Sequence, residues 1–392
     1  MADSALEVGE RNSEHDGPSA ELRSKNIRYL TGIDHLRALA GLLIVFYHGR
    51  QLFYGDTMQV RGLVAEPWAR ANDPFAALVI EGHTSVALFM VLSGFILSFG
   101  ASDQRVAYRP FLWNRFLRTY PLFLILLLAG ASTFPGNVTM EKVLHTLLGF
   151  ANIVPNSLPV VPFSTVFWTI GVEWQFYLAF PVLLEILRPA VVKNLLGLLA
   201  MALTVRWLSH AVGADLHEMP YWTILGRVDQ FLLGMAAGLS FRRLPPRLMG
   251  WLCLPSACLV LYSLFVFNHW GGWPSNTTFR LFWPTWEGGM WALFVVCYLP
   301  LATRVPRLLS RALCHVGTIS YSIYLWHFVF LTALLNQHFT RQFVQNPHRN
   351  ALLNTLLLLL PPVLVFSSLS YHFIEKPFMK LRVRYLRPLP HG

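Results

Sequence analysis

The sequence predicts an all-α fold, a polytopic membrane bundle of about ten transmembrane helices, and three observations carry that prediction. Of its 392 residues, 54% are hydrophobic and only 13% are charged, against about 25% charged in a soluble domain. Thirteen Trp and thirteen Tyr suit a protein with two membrane–water interfaces to line. Apolar stretches of about twenty residues recur between short polar breaks, each long enough at ~1.5 Å per residue to cross ~30 Å of hydrocarbon.

Residues 1–26 are polar and charged without an apolar period, so they are expected to form a disordered tail ahead of one membrane domain at 27–387. They contain no basic segment, short apolar core and small-residue cleavage site, so no cleavable signal is expected. The first span runs from Ile33 to Phe53, and further spans are expected near 78–100, 111–131, 165–187, 191–210, 222–241, 249–267, 284–302, 314–336 and 352–374. A shorter apolar piece near 143–154 reads as re-entrant or interfacial. The connection at 132–164, rich in Pro, Asn and Ser, is expected to cover the outer mouth of a site. No repeat with a period of 20–50 residues is visible.

The net charge of +11 is no nucleic-acid footprint, because its distribution follows topology. With the N-terminus inside, 20 of the 31 Lys and Arg fall in inner-side segments and 8 in outer-side ones. That is the positive-inside pattern, so the lipid bilayer is the expected partner and both termini are expected in the cytoplasm. Cys253, Cys258, Cys297 and Cys314 lie in or beside apolar segments, without CxxC or Cys/His metal spacing, and no metal is expected.

The informative residues are the polar ones inside apolar spans, because a charge at the bilayer centre costs about 2.5–3.5 kcal/mol on insertion scales. Arg37 and His48 sit in the first span eleven positions apart, which is three helical turns and ~16 Å along the axis, so they project from nearly one face. Orientation then assigns depths. Glu173, in FWTIGVEWQFYLAFP, comes close to the level of His48, with Trp168 near the outer surface. Arg227 and Asp229, in GRVDQFLLG, fall in the outer half, as do Tyr321, Tyr324 and His327 of SYSIYLWHFVFL. His327, beside Trp326, reads more cheaply as a core histidine. His48 is the stronger site residue, since imidazole titrates near neutrality. At the inner end, Arg115 and Arg118 lie on one helix face, either as snorkelling anchors or as a phosphate clamp. Glu375 precedes Pro377, where the last helix should stop or kink. No glycine-rich phosphate loop, GxSxG elbow or HExxH is present, so soluble-type nucleotide and serine-hydrolase sites have no support.

Seven segments taken in order resemble the acyltransferase-3 family of polytopic membrane O-acyltransferases. They are GIDHLRALAGLLIVFYH with its Arg-x10-His spacing, SVALFMVLSGFILS, FLWNRFLRTYPLF with Arg-x-x-Arg, FWTIGVEWQFYLAFP, GRVDQFLLG, LCHVGTISYSIYLWH and YHFIEKPF. The chain departs from the family pattern at His35, where a glycine is common, and at Trp174, where a second glutamate is common. The resemblance implies a bacterial inner (plasma) membrane protein that moves an acyl group, often acetyl, from cytoplasmic acyl-CoA to an acceptor hydroxyl. It implies a carbohydrate, glycolipid or other glycoconjugate as acceptor, or a small secondary metabolite such as a macrolide. Carried over residue by residue, it implies roles for Arg37, His48, Arg115, Arg118, Trp168 and Glu375, with Glu173 in the GVE segment.

The residues suit that chemistry. A thioester is already activated, so the protein must deprotonate a hydroxyl, orient the pair and stabilise an oxyanion. His48 is expected as base or acyl acceptor, Glu173 as the carboxylate that orients it, and Arg115 with Arg118 as the acyl-CoA phosphate clamp. Asp229, Tyr321, His327 and Glu375 complete the candidate set. A proton-coupled transporter would also need buried His, Glu, Asp and Arg, but the chain shows no inverted repeat or matched pair of broken spans.

Overall fold

The computed structural model describes residues 26, 27, 29–60, 68–154 and 156–389, so the expected tail, through residue 25, lies outside the described residues. The chain is a helical bundle. In order its helices are α1 (Thr31–Thr57), α2 (Pro74–Ile80), α3 (Thr84–Gly100), α4 (Tyr108–Thr133), α5 (Met140–Leu147), α6 (Trp168–Leu187), α7 (Val191–Ala211), α8 (Glu218–Trp222) and α9 (Ile224–Ser240). They continue as α10 (Pro246–His269), α11 (Trp283–Tyr298), α12 (Arg307–Thr318), α13 (Ser320–Asn336), α14 (Pro347–Asn354), α15 (Leu360–Ser370) and α16 (Lys376–Lys380). Sheet is confined to one short antiparallel pair, β1 (Gln104–Val106) and β2 (Leu386–Pro388), with Arg105 opposite Arg387.

The close crossing of α3 and α9 anchors the centre. A Cβ on Gly94 would lie 2.2 Å from the Phe231 carbonyl oxygen, and one on Gly234 would lie 2.2 Å from that of Val91. Only glycine lets these backbones approach so closely, and small-residue contact is how helices pack where lipid offers no hydrophobic drive. Around this pair, α1 packs against α3, α12, α13 and α14, while α9 also meets α7 and α11. Bulky apolar side chains such as Trp251, Leu254 and Leu196 point outward from the bundle, as lipid-facing positions do.

Four helices are long and apolar enough to cross a membrane, or up to six if two bent pairs each count as one span. The bends revise two of the expected continuous spans. The stretch at 78–100 breaks by 81° between α2 and α3, and that at 314–336 breaks by 67° between α12 and α13. In the first case Glu81, Gly82 and His83 form the corner, and both charged-type side chains are buried there. The run Ser164–Ala211 is helical throughout by length, but Ala190 leaves helical geometry at φ −150° and ψ 76°. Helical geometry is interrupted there between α6 and α7.

The last helix differs from expectation at Pro377. The helix does not stop: Tyr371–Glu375 widens into a π turn and α16 follows. A second π turn, Thr355–Leu359, precedes Pro361 and Pro362. Proline lacks the N–H that the carbonyl four residues back would accept, and a wider turn accommodates the ring. Glu375 closes the first of these turns and is buried. His35, the first departure from the family pattern, does not crowd its helix, since its two ring nitrogens meet Tyr298 Oη at 2.8 Å and Ser310 Oγ at 3.0 Å.

Candidate functional site

Two cavities lie back to back inside the bundle. The larger, about 130 Å³, is lined by Arg37, Arg115 and Arg118 together with Glu173, Tyr177, Tyr321 and Tyr324. It sits toward the end that also carries Glu375 and the β pair, here the basic end. The second, about 30 Å³, is lined by His48, Tyr47, Trp168, Tyr221, Trp222, Trp273 and Tyr324. Tyr324 and Val86 line both cavities and form the wall between them. Thr169 donates to the Tyr324 hydroxyl at 3.0 Å, and that hydroxyl donates to the Val166 carbonyl at 3.2 Å.

In the basic cavity the three arginines are committed to different degrees. Arg37 pairs with Asp34 one turn earlier at 3.4 Å. Arg118 pairs with buried Glu375 at 3.2 Å, and Ser322 also donates to that carboxylate. Arg115 makes no ion pair among the described residues; its guanidinium lies 5.6 Å from the ring centroids of both Phe111 and Tyr177. Tyr321 stands beneath Arg118, with the guanidinium 5.7 Å from its ring centroid, and donates to the Thr119 carbonyl.

His48 does not meet Glu173. Its Nδ1 lies 3.0 Å from Nε2 of His327, the two rings stacked at 5.2 Å between centroids. His327 Nδ1 in turn lies 3.2 Å from the Ile323 carbonyl oxygen. A carbonyl only accepts, so in the neutral pair His327 carries its proton on Nδ1 and offers the Nε2 lone pair. His48 Nδ1–H must then donate, which leaves the lone pair on His48 Nε2, a nitrogen with no protein partner among the described residues. The arrangement presents an unprotonated imidazole nitrogen within an aromatic cavity.

The other candidates fall as follows. Glu173 lines the basic cavity, where Tyr177 donates to it one helical turn on and Ser93 approaches at 3.5 Å. It is therefore not the orienting group of His48. Asp229 lies outside both cavities; it is buried and accepts from Arg206 and Thr285 in a structural ion pair. Trp168 lines the second cavity, packed against Tyr221 and Trp222 at 5.2 and 4.9 Å. Thr165 and Val166, just after the long connection, also line that cavity. Trp174, the second departure from the family pattern, donates to Thr119 at 3.0 Å.

A buried polar cluster lies beside the second cavity, and of its members only Arg227 was singled out from the sequence. It comprises Glu81, His83, Arg227, Gln230, Asn268, Arg280 and Glu287, none more than 3% exposed. Arg227 reaches Glu287 at 3.5 Å and the Tyr221 carbonyl at 2.8 Å. Arg280, on the turn before α11, is lowered to about 10 by burial and by the neighbouring Arg227 cation. The signal for part of this cluster was present: Glu-Gly-His interrupting the apolar stretch at 81–83. Among the described residues no group of three or more His, Cys, Asp or Glu is arranged to hold a metal ion.

A polytopic helical bundle with an arginine-lined cavity set against a histidine-bearing one is the class of protein that fold and site define. The family model described as an acyltransferase domain matches residues 30–372, and the chain belongs to the acyltransferase-3 family. The resemblance read from the seven segments is thereby borne out. A Staphylococcus aureus (strain COL) protein named as an O-acetyltransferase is 21% identical over 93% of this chain and 60% of its own length. A Bacillus subtilis (strain 168) protein named as a peptidoglycan O-acetyltransferase is 24% identical over 91% of this chain and 56% of its own. Acyltransferase MdmB of Streptomyces mycarofaciens is 28% identical over 54% of this chain and 58% of its own. The chain thus spans about 60% of the length of the first of these relatives. No solved structure gives a significant match.

Proposed function

We propose that this chain transfers an acyl group, acetyl in the simplest case, from acyl-CoA in the basic cavity to a hydroxyl of an acceptor in the aromatic cavity. The observation that carries the reading is the pair of cavities separated by the shared Tyr324 and Val86, arginines on one side and His48 on the other. Arg115, which makes no ion pair among the described residues, is the first contact for donor phosphates, and Arg37 and Arg118 frame it. With the thioester end of the donor reaching past Tyr324 and Val86 toward His48, His48 Nε2 takes the proton of the acceptor hydroxyl, the oxygen attacks the thioester carbonyl, and the C–S bond breaks. The CoA thiolate leaves and takes up the proton from the imidazolium, so the base is restored. His327 accepts the His48 Nδ1–H throughout and fixes which nitrogen acts.

The relatives' names and the cavity walls support one acceptor class. One relative is named for peptidoglycan, and the Trp168, Trp222 and Trp273 rings lining the second cavity suit the apolar faces of sugars. A carbohydrate or glycoconjugate is the reading, with a small metabolite as the alternative. The same reading counts ten spans: the four long helices with Ser164–Ala211 taken as two, the two bent pairs, and α1, α9 and α11. It sets the basic end in the cytoplasm, where the donor is made, at the bacterial inner membrane. The test is radiolabelled acetyl transfer by the purified protein in nanodiscs, wild type against His48→Ala. Loss of transfer in a folded His48→Ala protein is expected. Full transfer by that variant would overturn the mechanism, and solute uptake by the wild type without acyl transfer would favour a transporter.

A further inference from the structure

Beyond α16 the chain turns back along the basic end of the bundle, passes the first turns of α4 and pairs as β2 with β1. Two asparagines clamp this strap. Asn114, 1% exposed, donates to the Val383 carbonyl at 2.7 Å and accepts from the Val383 N–H at 2.9 Å. Asn26 accepts from the Tyr385 and Leu386 N–H groups at 2.7 and 3.2 Å, and the Ala107 N–H donates to the Tyr385 carbonyl at 2.8 Å. Backbone groups satisfied in this way hold the strap in one register, so its side chains stand in fixed places. The strap lies outside residues 30–372, the stretch that the family model matches.

Two of its side chains meet the arginines of the basic cavity. The Tyr385 ring packs on Phe111 at 5.3 Å between centroids, and the Arg115 guanidinium lies 5.6 Å from that same Phe111 ring. Arg382 donates through Nε to the Met379 carbonyl at 2.9 Å, and the Met379 sulfur lies 3.2 Å from Arg118. Burial, and then the Arg118 and Arg115 cations, lower Arg382 to about 10. At this junction the Tyr385 hydroxyl and Arg115 Nε are both buried with no hydrogen-bond partner among the described residues. Glu375 answers Arg118 and Asp34 answers Arg37, but no carboxylate among the described residues answers Arg115. Orphaned buried polar groups are rare, and two of them beside three clustered guanidiniums call for an anion with several acceptor oxygens.

We infer that the strap completes the donor site, Arg382 and Tyr385 holding a phosphate at the nucleotide end of acyl-CoA while Arg115 holds it from the cavity side. The donor–acceptor inventory selects that chemistry, because guanidiniums only donate and the phenol O–H is able to donate as well. The uncharged pantetheine arm then extends along the cavity toward Tyr324. An anionic lipid headgroup offers the same oxygens, but the two open atoms are buried beside the cavity that Arg115 lines, which favours the donor. The inference rests on the acyl-transfer reading for its ligand, and the binding is measurable without any transfer.

The test is binding of CoA, and of pantetheine, which lacks the phosphates, to full-length protein in phosphatidylcholine nanodiscs. The proteins compared are wild type, Arg382→Gln, Tyr385→Phe and Arg384→Gln. Arg382→Gln is expected to raise the CoA dissociation constant roughly tenfold or more, and Tyr385→Phe about threefold, with pantetheine binding unchanged. Tyr385→Phe keeps the ring on Phe111 and removes only an unpartnered hydroxyl, so it should unfold at the wild-type temperature or higher. Arg384→Gln removes the same charge from an exposed position and should bind CoA as wild type does. Equal weakening by Arg384→Gln and Arg382→Gln would reduce the effect to the general field of the basic end and overturn the inference. Arg382→Gln and Tyr385→Phe proteins that bind CoA like wild type would overturn it too, and would do so in favour of lipid if they lost retention of added phosphatidylglycerol. A wild type that binds no CoA would overturn the donor reading as well, whereas normal CoA binding by these two variants leaves acyl transfer standing and removes the strap alone.

Discussion

Replacing His327 by Leu removes the acceptor of the His48 Nδ1–H, now 3.0 Å away, and keeps an apolar side chain of similar bulk. A buried donor left without a partner loses about 1–3 kcal/mol. If that loss falls on the catalytically competent tautomer, transfer slows by roughly 5- to 150-fold at 1.4 kcal/mol per factor of ten. Removing the base itself in His48→Ala should do more, about 10²- to 10⁴-fold. His327→Gln separates positioning from packing, because its amide oxygen is able to accept the same N–H and should recover part of the rate. The assay is single-turnover acetyl transfer in nanodiscs at saturating donor and acceptor, with thermal unfolding of each variant alongside. His327→Leu turning over like wild type would refute the tautomer argument. Equal rates for Leu and Gln, both well folded, would refute it too, and would return His327 to a core role.

Other tests reach the remaining features. Arg118→Ala should lower stability by about 3–5 kcal/mol by stranding buried Glu375; the double variant Arg118→Met with Glu375→Met should regain most of it in thermal unfolding yet bind acyl-CoA more weakly. Gly94→Leu should abolish folded protein, judged by gel filtration, because its Cβ meets the Phe231 carbonyl oxygen at 2.2 Å, whereas Gly136→Ala, with nothing within 4 Å, should be silent. An impermeant thiol reagent should label a Cys placed at Asn276 from outside the cell, and one at the C-terminus only after permeabilisation; the reverse pattern would invert the topology.

The spacing of Arg37 and His48 was readable because both lie on one helix, where position alone gives axial distance and face. Their assignment to different cavities follows from it. Glu173 shows where that reasoning fails. Depth along α6 put it near His48, but depth says nothing of azimuth, and five residues beyond Trp168 the helix has turned by ~140°, so Trp168 lines one cavity and Glu173 the other. His327 was discounted for the same reason: whether a histidine beside a tryptophan faces core or site depends on how α13 leaves the corner at Ile319. The 81° break at Glu81–His83 was hidden inside an apolar stretch of ordinary span length, and with it went part of the buried polar cluster. Arg280, on a turn, carries no local pattern, and Glu287, near the start of the expected span at 284–302, was passed over.

The wall made by Tyr324 and Val86 has an electrical meaning under the proposed topology. Two polar vestibules reaching inward from opposite faces leave only a thin apolar layer, and most of the transmembrane voltage then falls across it instead of across the whole bilayer. A charge crossing that layer exchanges about 2.3 kcal/mol per 100 mV. Under that reading, the proton that His48 in one cavity returns to a thiolate on the side of the other crosses this layer. The rate of acyl transfer in energised vesicles should then respond to membrane potential, with a steepness that reports how much of the barrier this single layer of side chains holds.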